Sequence, residues 1–128
     1  MPLLKGTAGK AMPDMAIGYV TRKDKAKYID VQNLFEDEDY SEQFRETAAR
    51  FGKYTDYDER KYYHFKLSPD RADHADPLMV QEYAKACAEK MFEGCECVIA
   101  THTDTQTVHS HIVVNAVHPI TGKKLHFN

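Results

Sequence analysis

The sequence predicts an α+β fold, an antiparallel β-sheet with helices packed on one face. Three observations predict it. Tyr62-Tyr63-His64-Phe65-Lys66-Leu67 is an aromatic-rich strand run, ended by Ser68-Pro69. Asp76-Pro77 then opens a helix, with Asp76 as cap and Pro77 at the first helical position. Residues 95–101 and 108–117 are two β-branched, apolar runs, and the polar stretch 103–107 between them makes them an antiparallel hairpin. The order strand, helix, strand, strand is that of an α+β sheet.

The remaining elements follow in chain order. Residues 2–5 read as a short first strand and Gly6 to Gly9 as a loop. Pro13 occupies the first turn of a helix carrying Met15, Ile17, Tyr19 and Val20, which Gly18 weakens. Residues 24–40 look irregular. Ser41 is an N-cap for a helix through Phe51, where Phe44, Thr47, Ala48 and Phe51 recur at helical spacing and Gly52 is the stop. Residues 53–60 are a polar loop. In the helix after Asp76, the apolar stripe is Val80, Tyr83, Ala84, Cys87 and Met91, and Gly94 closes it. Ile120 to Lys123 form a turn into Leu125-His126-Phe127.

The length of 128 residues fits a single domain, 1–128. Its 42% hydrophobic and 29% charged residues are ordinary for a soluble protein. No apolar run approaches the roughly 20 residues of a membrane span, and the N-terminus lacks the apolar core of a signal peptide. A cytoplasmic location is the expectation. Cys87, Cys95 and Cys97 are an odd set with no secretion signal, so they read as reduced thiols. The net charge of -3 does not advertise a polyanion partner. The distribution says more. Residues 1–28 carry Lys5, Lys10, Arg22, Lys23, Lys25 and Lys27 against Asp14 and Asp24, while residues 30–46 are acidic. A basic patch near the N-terminus can meet phosphates while the acidic stretch faces solvent.

The chemistry concentrates in the segment His102-Thr103-Asp104-Thr105-Gln106-Thr107-Val108-His109-Ser110-His111. Side chains alternate along a strand, so His109 and His111 share a face. His102 ends the paired strand and can sit opposite them. Three neutral imidazoles then converge and leave open positions, as a catalytic metal site requires. Such a metal keeps its full positive charge for a phosphodiester. Asp104 is placed to accept the free ring N–H of a ligand histidine. Asn115 lies on the same strand face, within reach of substrate or a ligand. His64, His74, His118 and His126 lack such company and read as ordinary surface or partly buried histidines.

His102-x-Asp104 followed by His109-x-His111-Ile112-Val113-Val114-Asn115 closely resembles the third motif of MobA/VirD2-like relaxases, within the wider histidine–hydrophobic–histidine (HUH) endonucleases. Ser110 stands between the histidines. Tyr63-His64-Phe65-Lys66-Leu67-Ser68 resembles the family's middle portion. Ala16-Ile17-Gly18-Tyr19-Val20-Thr21-Arg22-Lys23 matches the stretch around the family's nucleophilic tyrosine. The resemblance implies a relaxase-like sheet with a ferredoxin-like βαββ core, complete or truncated at Asn128. It implies nicking and rejoining of single-stranded DNA at a plasmid or mobile-element transfer origin. Tyr19 is then the catalytic nucleophile, giving a 5′-phosphotyrosyl intermediate, with Tyr28 the weaker candidate. Asp104 joins Tyr19 in the catalytic set, and His102, His109 and His111 hold the metal. Mg²⁺ or Mn²⁺ is the expected cofactor, with Zn²⁺, Ni²⁺ or Co²⁺ as alternatives by ligand chemistry. Lys10, Arg22, Lys23 and Lys25 are the expected DNA phosphate contacts. The setting implied is the bacterial cytoplasm, with accessory relaxosome proteins as further partners. A replication initiator or transposase would place its tyrosine after the histidine pair, where this chain has none. A non-catalytic remnant that binds metal or DNA is the alternative from another class.

Overall fold

A computed structural model describes residues 3–71 and 74–127. Among the described residues, five strands and three helices follow one another: β1 (Leu3–Gly9), α1 (Asp14–Val20), β2 (Ala26–Gln32), α2 (Tyr40–Arg50), β3 (Tyr62–Ser68), α3 (Pro77–Met91), β4 (Cys97–His102) and β5 (His109–Asn115). The sheet order is β1-β3-β5-β4-β2, and every neighbouring pair is antiparallel. β5 is inserted between β3 and β4, which α3 connects. This is the βαββ unit that the sequence predicts, and the α+β class holds.

The helices occupy both faces, not one. On one face, Ala84 and Ala88 of α3 pack with Phe65, Ile99, Ile112 and Val114. On the other, Ile17 and Val20 of α1 and Phe44 of α2 pack with Val98, Ala100 and Val113. Every residue of β4 and β5 is therefore buried. Continuous apolar runs mark strands covered on both sides, and that reading fits Cys97-Val98-Ile99-Ala100 and Ile112-Val113-Val114.

Four local expectations are corrected. β1 runs on through Gly9, where a loop was expected; residue 2 of the expected strand lies outside the described residues. A Cβ on Gly6 would collide with the Phe65 ring, and one on Gly9 with the Tyr62 ring. Aromatic rings lie over these glycines, so the glycines support pairing here. The stretch 24–40 contains β2, an edge strand. Its polar Asp30 and Gln32 find partners on the α3 side: Gln81 Nε2 donates to Asp30, and Gln32 Nε2 donates to the Phe92 carbonyl at 2.9 Å. The α2 cap is Asp39, whose carboxylate accepts from the Glu42 N–H, and Ser41 lies inside the helix. In α3 the buried line is Val80, Gln81, Ala84 and Ala88, while Tyr83 and Met91 are exposed. Gln81 is buried because it ties α3 to β4, accepting from Thr101 Oγ1 at 2.6 Å and donating to the Ile99 carbonyl.

Asp76 caps α3 with Pro77 next in line, as expected. Residues 125–127 form no strand; Leu125 and Phe127 cover the α3-side core. The three cysteines are free thiols. Among the described residues, no helix is long and apolar enough to cross a membrane.

Candidate active site

The β4–β5 ladder ends on His102 opposite His109, with His111 opposite Ala100. Alternation puts all three imidazoles on the face covered by α1. They are buried, and their ring centres lie 4.4 Å (His102–His111), 5.0 Å (His109–His111) and 5.4 Å (His102–His109) apart. One nitrogen from each ring falls within 4.8 Å of the others.

The hydrogen bonds of the rings decide which nitrogens these are. His102 Nε2 lies 2.8 Å from the Val20 carbonyl, which only accepts, so Nε2 carries the proton and Nδ1 keeps its lone pair. The Thr107 backbone lies near the His109 ring and favours its protonated form. His111 Nδ1 lies 2.7 Å from His64 Nε2. The nitrogens left over are His102 Nδ1, His109 Nδ1 and His111 Nε2, all buried and without a hydrogen-bond partner among the described residues. Buried polar atoms are seldom left unsatisfied. Three orphaned lone pairs facing one another are the donor set of a divalent cation, so these residues fit the metal that the sequence implies.

Burial also favours the neutral form of two of these rings. Desolvation, then the neighbouring His102, His64 and His109 rings and Lys66, pushes His111 down to about 3. Desolvation, Lys66 and His102 likewise lower His109.

Tyr19 stands at the mouth of this site. Its ring meets His102 edge-on at 5.7 Å and His111 at 5.9 Å, and it is 44% exposed. Helix α1 places it there, with Ile17 and Val20 buried as its anchors. Tyr28 pairs with Thr101, which faces α3, so it lies on the far side of the sheet. Among the described tyrosines, Tyr19 is the one with ring contacts to the triad.

Asp104 is close by but does not bind a histidine ring. Its carboxylate pairs with Lys25 at 2.9 Å, and that pairing lowers the Asp104 carboxyl and raises the Lys25 ammonium. The Lys25 ammonium also lies 5.4 Å from the centre of the Tyr19 ring. Asn115 shares the strand face of His109 and His111, but its amide is committed. Nδ2 donates to Glu96 Oε1 and the Phe44 carbonyl, and Oδ1 accepts from the Tyr54 hydroxyl and the Val117 N–H. With Thr47 donating to the other Glu96 oxygen, this buried cluster anchors α2 to the sheet. No position of the amide is left for substrate.

The expected phosphate contacts divide. Arg22 and Lys23 follow α1 directly, beside Tyr19, with Arg22 held by both oxygens of Asp24. Lys10 follows Gly9, which pairs across Tyr62 with Asn115, at the opposite end of β5 from His109. Two further cations lie on the site face instead, Lys5 from the basic N-terminal patch and Lys66, which the sequence did not single out. Lys5 of β1 is opposite Lys66 of β3, and Lys66 is opposite His111. Both are exposed, and neither has an ion-pair partner among the described residues. His64 was also missed. The alternation of Tyr62 to Leu67 puts His64 and Lys66 on one face, but the sequence does not say that this strand lies beside β5.

Residues 19–128 match the family described as Relaxase: MobA/VirD2-like, nuclease domain. The chain is similar to two proteins of Staphylococcus aureus, each named Protein rlx. One is 32% identical over 93 residues, covering 72% of this chain and 27% of that protein. The other is 29% identical over 114 residues, covering 88% of this chain and 34% of that protein. The chain thus spans about a third or less of the length of these relatives. The family match begins at Tyr19 and takes in all three clustered histidines, so the chain belongs to the MobA/VirD2-like relaxases, within their nuclease domain.

Proposed function

We propose that this domain nicks and rejoins one strand of DNA at the transfer origin of a plasmid or other mobile element, with Tyr19 as the nucleophile. The observation that carries the reading is the edge-on approach of Tyr19 to two of the three imidazoles whose inward nitrogens lack partners. The Tyr19 phenol oxygen attacks phosphorus. An O–P bond forms, the P–O3′ bond breaks, and the 3′ oxygen leaves as a hydroxyl after taking a proton. The 5′ phosphate stays on Tyr19, so the bond energy is kept for rejoining and no nucleotide is consumed. His102, His109 and His111 hold the cation, Mg²⁺ or Mn²⁺ in this reading. When bound, it supplies positive charge for the non-bridging oxygens of the scissile phosphate.

A free phenol ionises only near pH 10, so the nucleophile needs help at neutral pH. The Lys25 ammonium stands beside the Tyr19 ring, where its charge meets the phosphate under attack, and Asp104 holds that ammonium in place. Arg22, Lys23 and Lys25 contact the strand's phosphates next to Tyr19, and Lys66 and Lys5 contact them further across the sheet. Asp104 acts through Lys25, and the bacterial cytoplasm and accessory relaxosome proteins complete the setting.

The test is incubation with a labelled single strand carrying the transfer-origin sequence, followed by a denaturing gel. The expected result is a strand that migrates with the protein, in Mn²⁺ or Mg²⁺ and not in chelator. His109→Ala/His111→Ala should abolish it. Cleavage that leaves free 5′-phosphate ends and no adduct would contradict the tyrosine mechanism.

A further inference from the structure

His64 falls outside every role considered so far, yet it makes one of the shortest side-chain contacts at the site. It is a half-buried residue of β3. Its cross-strand partner is Val113, so His111 is its diagonal neighbour on β5. The two rings are tilted by 59° with centres 4.9 Å apart, and His64 Nε2 is 2.7 Å from His111 Nδ1.

A hydrogen bond between two neutral imidazoles needs one nitrogen with a proton and one without. The buried Nε2 of His111 decides which is which, because it has no partner among the described residues. A proton on that nitrogen would be a buried donor with nothing to accept it, at full desolvation cost. It would also close the lone pair to a cation. A proton on Nδ1 satisfies both ends at once. We infer that His64 is a positioning residue of the metal centre: its Nε2 accepts the Nδ1 proton of His111 and thereby holds the His111 Nε2 lone pair toward His102 and His109. This rests on the metal-binding reading of the triad.

The consequence is specific to this ligand. His102 is held in its tautomer by a backbone carbonyl, that of Val20. His111 relies on a side chain, that of His64. An acceptor on the far nitrogen also makes the ligand more basic, and losing such a partner typically costs about 10–100-fold in metal affinity.

Two measurements on the intact chain test this. The first is ¹⁵N NMR of the imidazoles without metal. His111 should be protonated on Nδ1 and bare on Nε2, and in His64→Phe a population protonated on Nε2 should appear. The second is calorimetric titration with Mn²⁺. His64→Phe keeps a ring but offers no acceptor, so its affinity should fall about 10–100-fold. His64→Gln restores an acceptor oxygen and should recover most of the loss, which a purely space-filling role would not produce. A wild-type His111 protonated on Nε2 overturns the inference, as does a folded His64→Phe that binds Mn²⁺ as tightly as wild type. If the wild type itself binds no Mn²⁺, the metal reading fails, while the NMR spectrum still decides the role of His64. The wild-type spectrum and His64→Gln also decide it should His64→Phe not fold.

Discussion

The ring N–H of His102 donates to the backbone carbonyl of Val20 at 2.8 Å, joining one of the three inward-facing imidazoles to the residue after Tyr19. The end of β4 and the end of α1 are thus one mechanical unit. His102→Ala should remove a metal ligand and also loosen Tyr19. Tyr19→Phe should abolish the adduct yet leave Mn²⁺ affinity within about twofold, since the phenol is not in the ligand set. Calorimetry on both variants, with the NMR signal of the Tyr19 ring in metal-free His102→Ala, checks the pair of outcomes.

Lys25 lies between Asp104 and the Tyr19 ring. With its charge on the phosphate under attack, Lys25→Met should slow single-turnover nicking about tenfold or more at neutral pH. Equal rates for wild type and variant across the pH range would remove Lys25 from the chemistry.

Much of this site was legible in the sequence, and the limits have physical causes. The His102, His109 and His111 set is local: two adjacent strands and a short turn, where alternation alone fixes the face. Tyr19 depended on the resemblance, because nothing in α1 says where that helix docks. His64 and Lys66 were hidden by the insertion of β5 between β3 and β4, a long-range pairing with no local signature. β2 was hidden because Asp30 and Gln32 are polar residues whose partners, Gln81 and the α3 carbonyls, come from a distant helix. Asn115 was placed on the right face, but its neighbours Tyr54 and Glu96 arrive from elsewhere in the chain and occupy its amide.

Lys5 and Lys66 face each other on adjacent strands. Like charges directly opposite disfavour pairing, and a phosphate between them would remove that cost. Lys66→Gln should weaken single-strand binding and reduce the steepness of log K against log salt by about 0.7, the value for one phosphate contact on a single strand. Fluorescence anisotropy over a salt series reads the slope. An unchanged slope would place the strand elsewhere.

Glu59 supplies a pH prediction away from the site. Burial would raise its carboxyl, but the Lys124 ammonium at 2.8 Å and the backbone N–H groups of Tyr54 and Asp56 outweigh that and hold it down to about 2, from an ordinary 4.5. A depressed folded value means that the unfolded chain binds more protons between the two values. Stability from this group is therefore full above pH 4.5 and lost as pH falls from there through about 2. Glu59→Gln should lower the melting temperature at pH 7 and flatten that part of the acid limb in thermal melts. A variant with the wild-type acid limb would contradict the assignment.

As the proposed nucleophile, Tyr19 should become covalently attached to DNA beside the three-histidine centre. The most direct measurement is peptide mapping by mass spectrometry of the protein–DNA adduct formed on an origin-sequence single strand with Mn²⁺. The account predicts a nucleotide phosphate on the peptide containing Tyr19, absent in Tyr19→Phe and in His109→Ala/His111→Ala. An adduct on Tyr28 or any other residue, or an adduct that survives in Tyr19→Phe, would contradict it.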